Sequence, residues 1–131
     1  MHRSRLSGLV LDSRVDDIEQ ANTFWEQALG LECLRSDEEW GTRYSRLAVA
    51  EGQPHILIQK VTHDSRVHLD IETDDLEAEV RRLSRLGATV VERLEQWIVM
   101  AAPTGHRFCV VQPQRSDFET AADLNEWGAE D

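Results

Sequence analysis

A nine-residue stretch near the start of this chain occurs twice. Leu11-Asp12-Ser13-Arg14-Val15-Asp16-Asp17-Ile18-Glu19 aligns with Leu69-Asp70-Ile71-Glu72-Thr73-Asp74-Asp75-Leu76-Glu77 at an offset of 58 residues, with five of the nine positions identical. Ile18 and Leu76 are equivalent apolar residues, and both copies run on into a helical pattern that ends in Leu-Gly. Such self-similarity means one supersecondary unit used twice. Two copies are too few for an open solenoid, so the sequence predicts that they pair into one domain.

Each copy opens on an apolar-alternating segment, Leu6 to Ser13 or Arg66 to Glu72, that reads as a strand. A helix follows. Asp16 with Glu19, and Asp74 with Glu77, have the spacing of a capping box. Ile18, Ala21, Trp25, Ala28 and Leu29 then share one helical face, as do Leu76, Val80, Leu83 and Leu86, with Gly30 and Gly87 as left-handed stops. Trp25, on its apolar face, reads as an anchor of the helix to the sheet. Three further strands are predicted in each half: Leu31–Arg35, Arg43–Ala50 and His55–Val61, then Thr89–Arg93, Trp97–Ala101 and Arg107–Gln112. Pro103 and Gly105 mark a hairpin turn between the last two. The order is βαβββ, twice. After Gln114, Ser116 to Glu119 resembles another helix start, and Phe118, Ala121, Ala122 and Trp127 suit one face of a short C-terminal helix.

A chain of 131 residues is long enough to remove roughly two-thirds of its unfolded surface from water. With 14 Lys and Arg against 25 Asp and Glu, the net charge of −11 argues against nucleic acid and anionic membrane surfaces as partners. No apolar run approaches the ~20 residues of a membrane span. The basic opening is followed too soon by Asp12 for a secretory leader, and the lone Cys33 and Cys109 suit a reducing compartment, so a cytoplasmic location is expected.

Several segments together resemble the vicinal oxygen chelate superfamily (glyoxalase, bleomycin resistance protein, dioxygenase), closest to its small glyoxalase-like branch. They are the doubled βαβββ order, Phe24-Trp25-Glu26-Gln27-Ala28-Leu29-Gly30, Val67-His68-Leu69-Asp70 before Asp74-Asp75-Leu76-Glu77, and Pro103-Thr104-Gly105-His106-Arg107-Phe108-Cys109-Val110-Val111. The likeness covers about residues 6–113. It implies an α+β fold in which two tandem modules, about 6–61 and 65–113, form a glyoxalase-like cup, followed by a tail over 114–131. It also implies joining of modules across a homodimer, with the apolar face of the tail covering the seam.

The resemblance further implies metal ligands on the first and last strands of each module in metal-dependent members. His68, seven residues before Asp75, matches one such position. The others fall at Val10, Leu57 and Cys109. Zinc or iron chemistry needs about three protein ligands, so this sequence predicts no metal and no cofactor.

With His68 as reference, alternation and matched register assign Val10, Asp12, His55, Leu57, Gln59, Asp70, Arg107, Cys109 and Val111 to the cup face. Charged groups there are costly to bury unless paired. Two readings stand. Asp12 and Asp70 are either structural, bonding loop amides or Arg107, or they belong with His68 to a working site. In the second reading His68 and Asp70 are the candidate catalytic residues, while Asp12, His55, Gln59, Arg107, Cys109, Trp40 and Tyr44 are ligand-binding candidates. Cys109 as a nucleophile is disfavoured by its apolar neighbours.

The chain has no G-x-S-x-G, H-E-x-x-H, G-x-x-x-x-G-K-[ST] or G-x-G-x-x-G motif. The leading functional expectation is therefore metal-independent binding of a small organic molecule, as in bleomycin-resistance-type proteins. The net charge favours a cationic or neutral ligand. Two alternatives remain: a lyase or isomerase with His68 or a carboxylate as general base, and a structural or regulatory dimer.

Overall fold

Both repeat copies start a helix at an aspartate, one residue later than the spacing suggests. Asp17 caps the first helix: its carboxylate accepts from the Glu19 amide at 2.9 Å, and the Gln20 side chain accepts from the Asp17 amide at 3.2 Å. Glu19, the expected partner in the box, instead accepts from Arg35 and Asn22. Asp75 caps the second helix by accepting from the Ala78 amide at 3.0 Å. Asp74 is taken by Arg3, and Glu77 by Arg93, so neither is left for the cap. Long-range ion pairs override the local spacing in both copies.

The computed structural model describes residues 1–129, so Glu130 and Asp131 at the end of the tail lie outside the described residues. Its elements are β1 (His2–Arg14), α1 (Ile18–Leu29), β2 (Cys33–Leu34), a 3-10 turn (Glu39–Thr42), β3 (Tyr44–Leu47) and β4 (His55–Val61). They continue with β5 (Arg66–Thr73), α2 (Leu76–Arg85), β6 (Thr89–Arg93), β7 (Trp97–Ala101), β8 (Arg107–Val111) and β9 (Asn125–Trp127). Strands β4, β6 and β7 have the limits read from the sequence. Strand β1 extends to His2 because β9 pairs antiparallel with its first residues, His2 to Ser4, and satisfies their backbone.

Contacts group these elements into two compact units. The first comprises Gly8–His68, and the second comprises Met1–Ser7 with the chain from Leu69 onward. In the first unit the strand order is β2-β3-β4-β1, with β1 and β4 parallel. Ile58 and Leu47, both 0% exposed, pack with Ile18, Ala21 and Cys33, and with the partly buried Leu11, Ile56 and Trp25. Trp25 thus anchors the helix as its position suggested. Gly8 is required where it stands, because a Cβ there would lie 2.6 Å from the His55 carbonyl oxygen.

In the second unit the order is β5-β8-β7-β6, with β5 and β8 parallel. Val80 and Leu83 of α2 pack on Ile98, Met100, Phe108 and Val110. Both helical faces are shorter than their patterns. Leu29 and Leu86, at the helix ends, remain 47% and 65% exposed.

The tail is not a helix. Residues 116–124 form turns and the chain then enters β9. The helical spacing of its apolar residues loses to two tertiary interactions: Arg5 binds Asp117 and Asp123, and β1 offers an edge to pair with. Phe118 is 3% exposed, so this part of the tail is buried against the chain itself.

Glu79 of α2 ties the second unit's termini together. Its side chain is fully buried, bonded to His2 Nε2 at 2.8 Å and to Arg82 by two bonds of 2.8 Å. Arg82 lies 3.9 Å over the Trp127 ring, whose Nε1 donates to Ser4. Burial pushes the Glu79 carboxyl up, but the bonds from Arg82, His2 and Ser4 outweigh it and hold the group below the ordinary carboxylate range. A depressed folded value stabilises the fold fully above the unfolded pKa, about 4.3, and the contribution is lost as pH falls through the folded value. Glu79→Gln is therefore expected to cost about 3–5 kcal/mol at pH 7 and to flatten the acid limb below about pH 4.3. Urea midpoints measured between neutral and acid pH check this; an unchanged acid limb contradicts it.

Candidate functional site

Alternation splits the first unit's sheet into two faces. Leu11, Ile56 and Ile58 turn toward the core under α1, so their alternates turn to the other side. Register then sets those alternates in rows. Tyr44 lies opposite Gln59, and Gln59 opposite Asp12; Arg46 lies opposite Leu57, and Leu57 opposite Val10. One row is polar and the next largely apolar. His55, partly buried, stands at the start of β4 opposite Gly8.

Asp12 is the centre of the polar row. Its side chain is only 2% exposed, and Oδ2 lies 2.7 Å from His68 Nδ1 and 3.6 Å from Arg66 Nε. Oδ1 is also buried, yet has no hydrogen-bond partner among the described residues. Half-satisfied buried carboxylates are uncommon, since an unmet polar group costs roughly 1–3 kcal/mol. Beside this pair, Gln59 Nε2 donates to the Tyr44 hydroxyl at 3.3 Å. Asp12, Tyr44, Gln59 and His68 are thus brought together on this face, with Arg66 beside them. Arg66 was legible, because it precedes His68 by two residues on β5.

The Asp12–His68 bond has a chemical consequence. When Asp12 accepts this bond, Nδ1 carries the proton and Nε2 the lone pair of a neutral ring. A histidine oriented this way by a buried carboxylate has the layout of a general base.

Of the remaining candidates, Asp70, Arg107 and Cys109 lie in the second unit and Trp40 in the first. Asp70 lies opposite Cys109 in the β5/β8 register, on the side away from Ile71, Phe108 and Val110, which pack toward α2. Cys109 is a partly buried free thiol. Arg107 is exposed and forms no ion pair among the described residues. Trp40 sits in the 3-10 turn, 48% exposed, outside the strand rows. A shallow groove of about 530 Å³ in the first unit, lined by Arg14, Val15, Asp16, Gln20, Lys60, Val61 and Thr62, contains none of the expected site residues.

The metal of the resembled family does not fit the first unit. Val10 and Leu57, at two of its ligand positions, are paired with each other across β1 and β4, and neither has a donor atom.

The glyoxalase-like domain family matches residues 8–111. No curated protein matches the sequence. Similar solved structures include a methylmalonyl-CoA epimerase from Mycobacterium tuberculosis, 18% identical, covering 83% of this chain and 87% of its own, with a TM-score of 0.59. A glyoxalase/bleomycin resistance protein/dioxygenase superfamily member from Vibrio splendidus is 19% identical, covers 84% and 99%, and has a TM-score of 0.51. A Legionella pneumophila protein described as an NAD-dependent benzaldehyde dehydrogenase is 11% identical, covers 81% and 97%, and scores 0.60. At such identities these likenesses show a shared fold.

Removing His68 leaves Asp12 buried with only the distant Arg66. His68→Ala is expected to lower stability by about 1–3 kcal/mol, and Arg107→Ala by less than about 0.5 kcal/mol. Denaturant melts of the two variants check this ranking; equal losses contradict the assignment of Asp12 to His68.

Proposed function

This chain belongs to the glyoxalase-like domain family, and from that premise we propose that it binds a small organic molecule, without a metal, on the first-unit face that carries Asp12 and His68. The observation that carries the reading is the row Tyr44, Gln59, Asp12 with His68 beside it, next to the apolar row of Leu57 and Val10. An apolar floor with a few fixed polar groups is what a small-molecule site requires. Asp12 and the net charge of −11 favour a neutral or cationic ligand of the kind that bleomycin-resistance-type proteins take.

A second reading rests on the 2.7 Å bond between Asp12 and His68. It makes His68 Nε2 a proton acceptor in a lyase or isomerase reaction, with Asp12 positioning the ring.

Tryptophan fluorescence titrated with bleomycin, and separately with methylmalonyl-CoA, tests both. Saturable quenching without turnover, weakened by about 1–3 kcal/mol in His68→Ala, supports the binder. Turnover with a pH–rate profile lost in His68→Ala supports the enzyme. Elemental analysis of the same protein is expected to show no stoichiometric metal; one zinc, nickel, iron or manganese per chain retained through dialysis contradicts the metal-independent reading.

A further inference from the structure

The two oxygens of Asp12 are unequal, and the difference bears on what the first-unit face recognises. The side chain is 2% exposed, and Oδ2 is bonded to His68 Nδ1 at 2.7 Å. Oδ1 is buried with no hydrogen-bond partner among the described residues. A carboxylate oxygen only accepts, so what Oδ1 calls for is an N–H or O–H donor. Gln59 Nε2, beside Asp12 in the polar row, donates instead to the Tyr44 hydroxyl at 3.3 Å.

Charge points the same way. The cation next to Asp12 is Arg66, whose Nε stands 3.6 Å from Oδ2, longer than a hydrogen bond, on a side chain that is 48% exposed. Such a half-exposed ion pair is weak, because solvent screens it and the long side chain loses freedom in holding it. His68, with a side chain only 12% exposed and a 2.7 Å bond, is fixed by comparison. Arg66 is thus the group on Asp12 that leaves at little cost. Its departure leaves a buried carboxylate costly until another cation, with N–H groups of its own, replaces it.

We propose, resting on the reading of this face as the ligand site, that its ligand carries a protonated amine, amidine or guanidine nitrogen that donates to Asp12 Oδ1. Arg66 stands in for that cation in the free protein and swings into solvent when the ligand arrives. A neutral amide offers the N–H without the charge, and a quaternary ammonium the charge without the N–H, so neither meets both needs of Asp12. Arg66 is then a specificity-determining residue, because only a group that bonds Asp12 better than its own loose pair displaces it. The carbon body of the ligand lies over the apolar row of Leu57 and Val10.

Amide chemical-shift titrations with benzamidine, benzamide and benzyltrimethylammonium, at neutral pH and equal ionic strength, test this. All three carry a phenyl ring and differ in charge and N–H groups. Benzamidine is expected to perturb Asp12 and His68 and to bind at least tenfold more tightly than either of the others. Asp12→Asn, which keeps the shape and removes the charge, is expected to abolish that preference, and Arg66→Ala to tighten benzamidine binding at least threefold. Equal affinities of the three probes overturn the proposal and leave the wider small-molecule reading standing. Weaker benzamidine binding in Arg66→Ala also overturns it, since Arg66 is then a ligand contact. If Asp12→Asn does not fold, the wild-type ranking and Arg66→Ala, a change at a half-exposed side chain, decide. If no probe perturbs Asp12 or His68 the proposal fails, whereas saturable quenching by bleomycin still upholds the wider reading.

Discussion

Three carboxylates, Asp12, Glu72 and Glu79, have side chains with 2%, 0% and 0% of their surface exposed, and none of these sites is tenable as an isolated charge. Each is answered by a specific base: His68 with Arg66, Arg5, and His2 with Arg82. The three differ in how completely they are answered. Both oxygens of Glu72 and both oxygens of Glu79 accept hydrogen bonds, which marks them as structural ties. Asp12 uses one oxygen, and the other has no hydrogen-bond partner among the described residues. A site that only held the sheet together would gain from an apolar residue at this position. The retained, half-satisfied charge is the reason for reading this face as functional.

The same alternation that buries Ile56 and Ile58 beneath α1 sets Leu57 and Gln59 on the opposite face. The scaffold therefore fixes which residues are neighbours, while chemistry depends on what stands at each place. Val10 and Leu57 at ligand positions change that chemistry without disturbing the register, which is how one fold serves unrelated functions.

Much of this was legible. The repeat located both helices, because capping aspartates and apolar periods are local signals. Alternation from His68 found Asp12 and Gln59, since a strand has a strict period of two. Cap positions slipped by one residue where Arg3, Arg35 and Arg93 claimed the expected acids, and no local pattern reports a partner 71 residues away, as for Arg3 and Asp74. The tail failed for the same reason. Phe118, Ala121 and Trp127 fit a helical period, but Arg5 and the edge of β1 compete with the helix and win. Arg5 and Glu72 were missed because their meaning lies in the pair. Glu72 could have been flagged, being two residues beyond Asp70 on the same strand.

The central claim is that ligands engage the first-unit face through the row of Tyr44, Gln59, Asp12 and His68. Amide chemical-shift mapping of the isotopically labelled protein against a library of small neutral and cationic organic fragments tests it most directly. The account predicts that binding fragments perturb Tyr44, Gln59, Asp12 and His68 together, with the shifts lost in His68→Ala. Fragments that instead perturb the groove of Arg14, Gln20 and Lys60, leaving Asp12 and His68 unmoved, would contradict it.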